Sequence, residues 1–69
     1  MRNAYAVWID KQNENIFRDT LNDLGFSWDD YDEQERYDYI VFSFTEEQFL
    51  VIERYSDILD VANEIEELY

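Results

Sequence analysis

Six carboxylates recur at regular intervals through the last third of the chain. They are Glu46, Glu53, Asp57, Asp60, Glu64 and Glu67. On one continuous α-helix, at ~100° per residue, their spacing places all six within a sector of roughly 80° and spreads them over ~31 Å. That length is about one turn of duplex DNA, which carries its phosphates at a regular pitch. The row is therefore predicted to present anions to a partner as a nucleic-acid backbone does.

The local preferences of an α-helix oppose this row. Carboxylates three or four residues apart repel each other, at about 0.2–0.5 kcal/mol for each pair. Acids near a helix C-terminus also face the negative end of the helix dipole, and Arg54 is the only base between residues 46 and 69. Features that break local rules concentrate at functional sites, so the row favours a function. The alternative is an ordinary solvated helix face.

A second acidic cluster lies in the middle of the chain and alternates with aromatic residues. Its carboxylates are Asp29, Asp30, Asp32, Glu33, Glu35 and Asp38, and its rings are Trp28, Tyr31, Tyr37 and Tyr39. Rings supply buried area at a protein interface, while carboxylates steer a basic partner. We expect Trp28 or Tyr31 to anchor in a pocket of that partner. The alternative is that Trp28 and Tyr37 belong to the core and the acids form a turn.

The composition excludes most catalytic chemistry. The 69 residues include neither His nor Cys, so the chain has no imidazole for proton transfer and no thiolate nucleophile. Asp30 and Asp32 have the spacing of the first ligands of a calcium loop, but Glu35 stands where that loop needs glycine. We therefore expect a protein that is not an enzyme and that holds no cofactor and no metal.

Charge and hydrophobicity together indicate a folded domain with a basic partner. Eighteen acidic residues against five basic ones give a net charge of −13, while 46% of the residues are hydrophobic and 19% are aromatic. That composition is globular, whereas disordered acidic chains have few aromatic residues. A charge of magnitude about 2–8 would keep a small domain soluble. The excess opposes direct binding to nucleic acid and favours a strongly basic partner.

The pattern of apolar residues predicts a single α+β domain over residues 1–69. Alternation predicts strands at residues 3–9 and 37–44, and both faces of the first strand are apolar, which is typical of a central strand. Helical spacing predicts a helix at residues 10–24, capped by Asp10 or Asn13 and ended by Gly25. Residues 26–32 fit either a short edge strand or a loop.

The remaining third of the chain is predicted to be helical. Thr45 and Gln48 have the spacing of a capping box, so a helix is expected from Glu46 onward. Residues 49–52 are apolar all round and also fit a strand, and residues 57–68 have amphipathic helical spacing. Ser56 either separates two helices or lies inside one. The expected fold is a small antiparallel or mixed sheet of two or three strands, in the order β-α-β-β-α, with helices packed on one face.

The opposite face of that sheet is expected to be an uncovered apolar patch. Alternation places Tyr39 and Val41 there, together with Trp8. Exposed apolar patches on small proteins mark interaction sites. We therefore expect this face to meet another subunit or a target.

In size, charge and composition, though in no alignable motif, the chain resembles phage-encoded DNA-mimic inhibitors. The resemblance implies an inhibitor that occupies the basic DNA-binding groove of a nuclease, CRISPR effector, restriction enzyme or DNA-repair enzyme. The alternative function is an acidic protein–protein interaction module, either monomeric or homodimeric, that binds without imitating nucleic acid. We expect neither a signal peptide nor a membrane span, so the predicted location is the cytoplasm. If the protein is a DNA mimic, this is the cytoplasm of a phage-infected bacterial cell.

Overall fold

The computed structural model describes residues 3–54 and 56–68, with the side chains of residues 56–58 outside the description. Four strands form one antiparallel sheet: β1 (Asn3–Asp10), β2 (Asp32–Arg36), β3 (Tyr39–Thr45) and β4 (Ala62–Glu67). Helix α1 (Glu14–Asp23) follows a 3₁₀ turn at Lys11–Asn13, and helix α2 (Glu46–Arg54) precedes a 3₁₀ segment at Ser56–Val61. The predicted α+β class is confirmed, although the sheet has four strands instead of two or three.

The strands lie in the order β2-β3-β1-β4. Because β1 and β3 occupy the centre, the β-α-β-β-α-β chain follows the split β-α-β topology, which is also called ferredoxin-like. The central position predicted for β1 is confirmed. Strands β2 and β4 form the two edges of the sheet.

The core lies between one face of the sheet and the two helices. Strands β1 and β3 supply Val7, Ile9, Ile40, Phe42 and Phe44, while the helices supply Phe17, Leu21, Phe49 and Ile52. The strand residues alternate with period two and the helix residues recur at three or four, so each set points to one side of its element. Both helices therefore pack on the same face of the sheet, as predicted.

Two of the predicted helix signals are confirmed. Gly25 has a φ of 94°, and the N–H of Phe26 donates to the Leu21 carbonyl at 3.0 Å, which closes α1. At the start of α2, the Gln48 N–H donates to Thr45 Oγ1 at 3.2 Å, and the Thr45 N–H donates to Gln48 Oε1 at 2.9 Å. This reciprocal pair is the predicted capping box, and it confirms residues 49–52 as helix.

The predicted range of α1 begins too early, although Asn13, one of its two predicted caps, does occupy the N-cap position. The first helix was expected from residue 10, with a side-chain cap from Asp10 or Asn13, and neither side chain makes a capping hydrogen bond. Residue 10 belongs to β1 and a 3₁₀ turn follows it, so α1 begins at Glu14. Pairing with β3 holds Asp10 in the strand, opposite Tyr39.

The amphipathic helix predicted over residues 57–68 is also wrong. Helix α2 ends at Arg54, and residues 62–67 form strand β4, paired with β1 through Ile65 opposite Val7 and Ala62 opposite Ile9. The Leu68 N–H extends the pairing by donating to the Ala4 carbonyl at 2.9 Å. A central strand needs a hydrogen-bonding neighbour on both sides, and this requirement overrides the helical preference of the segment.

The hairpin between β2 and β3 turns on a strained tyrosine. Arg36 pairs with Tyr39, so Tyr37 and Asp38 form a two-residue connection, and Tyr37 has a φ of 56° while Asp38 does not enter the left-handed region. Turns with a positive φ at their first central residue favour glycine there. Tyr37 is 91% exposed, so packing does not offset the strain.

Replacing Tyr37 with glycine is therefore expected to stabilise the fold by about 0.5–1 kcal/mol, because relief of left-handed strain outweighs the added chain entropy. Urea denaturation followed by circular dichroism measures the change. Asp38→Gly is the matched control and is expected to bring no gain. A loss of stability in Tyr37→Gly would contradict this account of the turn.

Within the described part of the chain, neither helix has the length and apolar character that crossing a bilayer requires.

Candidate partner-binding surface

The six carboxylates of the predicted helical row do not form a row. Glu46 and Glu53 lie on α2, Asp60 lies in the 3₁₀ segment, and Glu64 and Glu67 lie on β4. Residues 64 and 67 are an odd number apart on a strand, so they point to opposite faces of the sheet. The Asp57 side chain lies outside the description. The proposed ~31 Å line of anions is wrong because residues 46–67 change from helix to strand.

The second acidic cluster is divided between a loop, an edge strand and a turn. Asp29 and Asp30 precede β2, and Asp32, Glu33 and Glu35 lie on β2 itself, where all five strand residues are exposed. Asp38 lies in the hairpin turn. Residues 26–32, for which an edge strand and a loop were both predicted, form a loop that leads into an edge strand beginning at Asp32.

The aromatic residues of that cluster separate into core and surface. Tyr31 is 8% exposed, and its ring centroid lies 5.6 Å from those of Phe42 and Phe44, so it is a core residue and is unavailable as an anchor for a partner. Trp28 is 78% exposed and Tyr37 is also on the surface, so the alternative that placed these two rings in the core is wrong.

Two of the cluster's carboxylates form ion pairs within the molecule. The Arg18 guanidinium donates to both oxygens of Glu33, at 2.5 and 2.8 Å, and to Glu14 Oε2 at 2.9 Å. This hydrogen bond from Arg18 holds the pKa of Glu33 below its usual value. Lys11 Nζ lies 3.2 Å from Glu35 Oε1. Glu33 and Glu35 therefore join β2 to α1 and its preceding turn, and they are the less available members of the cluster.

The sheet face opposite the helices is not covered by another element, as predicted, but Val41, which was expected to be exposed there, is buried. The register places Trp8 beside Val41 and Ala6 beside Ser43, and the 3₁₀ segment packs with the helices on the other face. Neighbouring side chains shield this face more than expected, since Ala6 is 3% exposed and Val41 is 7% exposed. Among the described residues nothing forms a second layer over it. The open face therefore has an apolar centre with little accessible area.

Two aromatic rings lie at one end of that centre. The rings of Trp8 and Tyr39 meet edge to face, with centroids 5.9 Å apart at 68°. The indole Nε1–H of Trp8 is buried and has no hydrogen-bond acceptor among the described residues. Trp8 and Tyr39 themselves are only partly buried. Their accessible parts are the aromatic surface that β1 and β3 present on the open face.

Carboxylates lie on both edges of the open face, two on β4 and one on β2. On β4, Glu64 lies opposite Trp8 and Glu66 opposite Ala6; on β2, Asp32 lies opposite Ser43. Alternate residues of a strand are ~6.8 Å apart, and the two edge strands are three spacings, or ~14 Å, apart. Within the described residues, none of these three forms an ion pair, although Asn3 donates a hydrogen bond to Asp32 at 2.7 Å. We call these residues, with Asp10 at the end of β1, the acidic rim.

Positive charge is scarce around this rim. Arg36, opposite Tyr39, is the base that the register brings to the open face, and its guanidinium donates to Gln34 at 3.3 Å. In the described part of the chain no charged residue is buried. The rim carboxylates therefore make no buried ion pair that would stabilise the core. Their position on the edge strands also discourages pairing with other strands.

An open depression of about 450 Å³ adjoins the Asp32 end of the rim. Its polar lining includes Asn3, Asp29, Asp30, Asp32 and Glu47. The Gln48 side chain closes one side by donating a hydrogen bond to the Asp30 carbonyl. The described residues include no group of acids placed to hold a metal ion. The depression extends the negative surface from β2 toward the start of α2.

Sequence reasoning missed two members of the rim. Asp10 was interpreted as a helix cap, and Glu66 was omitted because a helical projection turned it away from the row. The period-two spacing of Glu64 and Glu66 around Ile65 was the available signal. Sequence alone gave no indication that β4 would pair with β1.

No known family model matches the chain, and neither does any curated protein or solved structure.

Proposed function

We propose that this protein is an inhibitor that imitates a polyanion and occupies the basic nucleic-acid-binding groove of a nuclease or other DNA-binding protein. The observation that carries the proposal is the acidic rim, a set of carboxylates without ion-pair partners among the described residues that frames an open apolar face. Restriction enzymes, CRISPR effectors and DNA-repair enzymes all have grooves of the required charge. For such targets the proposed location is the cytoplasm, that of a phage-infected bacterial cell if the protein is a mimic.

The net charge supports this proposal energetically. A charge of −13 on a 69-residue chain destabilises the compact state through self-repulsion. A groove that binds DNA carries clustered Arg and Lys, which neutralise the phosphates and so release the counterions condensed on the DNA. Surface carboxylates held by a folded sheet can provide the same neutralisation. The cost of repulsion in the free protein is then offset in the complex.

The spacing of the acidic rim supports mimicry without a helical row. Its two edges are ~14 Å apart across the sheet, and the major groove of B-DNA is about 12 Å wide. Glu64 and Glu66 on one edge and Asp32 on the other therefore hold anions at a separation similar to that of phosphates on either side of a groove. The partly exposed rings of Trp8 and Tyr39 between them supply the apolar contact area that phosphates alone do not provide.

A second function is favoured by the apolar centre itself. An acidic interaction module would use the partly exposed rings of Trp8 and Tyr39 to bind a protein outside any nucleic-acid site, with the rim excluding wrong partners. Duplex DNA would then leave the complex intact. The homodimeric form is the weaker version, because a symmetric pair of open faces brings two acidic rims together.

Capture from a bacterial lysate distinguishes the two functions. The immobilised protein is exposed to lysate at low salt, and bound proteins are eluted in parallel with duplex DNA and with uncharged polymer. The proposal predicts that DNA-binding proteins elute with the duplex and not with the polymer. Bound proteins that the duplex fails to release would contradict mimicry and support the interaction module.

A further inference from the structure

We infer that the open face of the sheet selects arginine over lysine in its partner, with a guanidinium lying on the Trp8–Tyr39 ring pair between the carboxylates of Asp10 and Glu64. This inference rests on the proposed function and specifies the contact through which the acidic rim recognises a basic groove.

The register brings both kinds of group to one place. Glu64 lies directly opposite Trp8, and Asp10 lies directly opposite Tyr39. Side chains opposite each other in an antiparallel pair have Cβ atoms about 4.5–5.5 Å apart. The two rings touch each other edge to face. Two carboxylates therefore flank a single aromatic surface, while Arg36, opposite Tyr39 on the β2 side, is hydrogen-bonded to Gln34.

Guanidinium is the cation that fits this combination. It is planar and weakly hydrated, it stacks on aromatic faces, and it binds a carboxylate through two parallel hydrogen bonds. An ammonium group is compact and strongly hydrated, and it has no flat surface to lay on a ring. A lysine at the same place keeps the charge attraction but loses the stacking.

Arg18 already combines an aromatic ring and carboxylates around a guanidinium within this molecule. The Arg18 guanidinium lies 5.2 Å from the centre of the Phe42 ring while it binds Glu33 and Glu14. That internal group combines one aromatic ring, one guanidinium and two carboxylates. The open face presents two rings and two carboxylates, and within the described residues no guanidinium pairs with those carboxylates.

Charge excludes the other occupants of this face. A second copy of the chain would place another −13 against the same rim, and a nucleic acid would add phosphates to carboxylates. A purely apolar segment would bury Glu64 and Asp10 without a cation, which is costly. A basic segment that carries arginine satisfies the rings and the acids together.

The test uses Trp28→Phe, which leaves Trp8 as the sole indole in the chain. An arginine nonapeptide and a lysine nonapeptide are titrated at the same low salt, and Trp8 fluorescence is recorded. We expect a saturable change with the arginine peptide and an affinity at least tenfold higher than with the lysine peptide. Equal affinities would overturn the inference while leaving the polyanion proposal standing. Failure of both peptides to bind would contradict the polyanion proposal itself.

Two variants locate the preference, with binding followed by anisotropy of labelled peptides. Trp8→Leu keeps an apolar side chain but removes the ring, so the ratio of the two affinities is expected to fall toward one. Glu64→Gln is expected to reduce the ratio several-fold. Glu53→Gln makes the same change of charge on α2, on the other side of the sheet, and is expected to leave the ratio unchanged. If Glu64→Gln and Glu53→Gln lower the ratio equally, the inference is overturned.

Discussion

Replacing Phe42 with alanine is expected to remove most of the stability of the fold. Phe42 is fully buried, and its ring lies 4.8 Å from that of Phe17 and 5.6 Å from that of Tyr31. A buried Phe→Ala substitution costs about 3–5 kcal/mol. A domain of this length has ~3–10 kcal/mol in total. The variant should therefore be substantially unfolded at 37 °C.

Urea denaturation followed by far-ultraviolet circular dichroism measures this effect. Ile16→Ala is the control, because Ile16 is 56% exposed on α1, and its change in free energy of unfolding is expected to stay within about 0.5 kcal/mol. If Phe42→Ala unfolds at nearly the same urea concentration as the parent protein, the packing described here between the sheet and α1 is wrong.

Reversing the charge of both rim carboxylates on β4 is expected to have the largest effect on binding. Glu64→Lys with Glu66→Lys changes four units of charge on one edge of the open face. Placing like charges against each other in an interface costs several kcal/mol. About 2.7 kcal/mol corresponds to a hundredfold loss of affinity, and we expect at least that for a captured DNA-binding protein. The fold should remain intact because self-repulsion decreases.

The matched control reverses Glu46 and Glu53 on α2. These two exposed residues were part of the predicted helical row, and the structure places them away from the open face. The control makes the same change of net charge, so its loss of affinity is expected to be less than tenfold. Isothermal titration of both variants at one salt concentration makes the comparison. Equal losses would mean that net charge acts without regard to position.

Local signals predicted the first two-thirds of the fold well. Alternation identified β1 and most of β3, and Gly25 and the Thr45–Gln48 pair correctly marked a helix end and a helix start. These features depend on residues within one turn of each other, so the local sequence is enough to predict them. Strand β4 is different, because its residues have ordinary helical preference and become a strand only by pairing with β1.

The candidate surface was less predictable for the same reason. Its members come from β1, β2 and β4, and the register between strands decides which of them become neighbours. Arg18 illustrates the problem: its partner Glu33 is fifteen residues away, and their contact removes one carboxylate from the predicted cluster. The composition did establish the excess of negative charge. Among the described residues, no buried charged group pairs with it.

The most direct test of mimicry is competition on a purified DNA-binding protein recovered by capture. A labelled duplex is bound to that protein at fixed salt, and the acidic protein is added while anisotropy reports the bound fraction of duplex. Mimicry predicts complete displacement, with an apparent affinity that weakens in proportion to the concentration of unlabelled duplex. A ternary complex, in which the duplex stays bound while the acidic protein also binds, would contradict it.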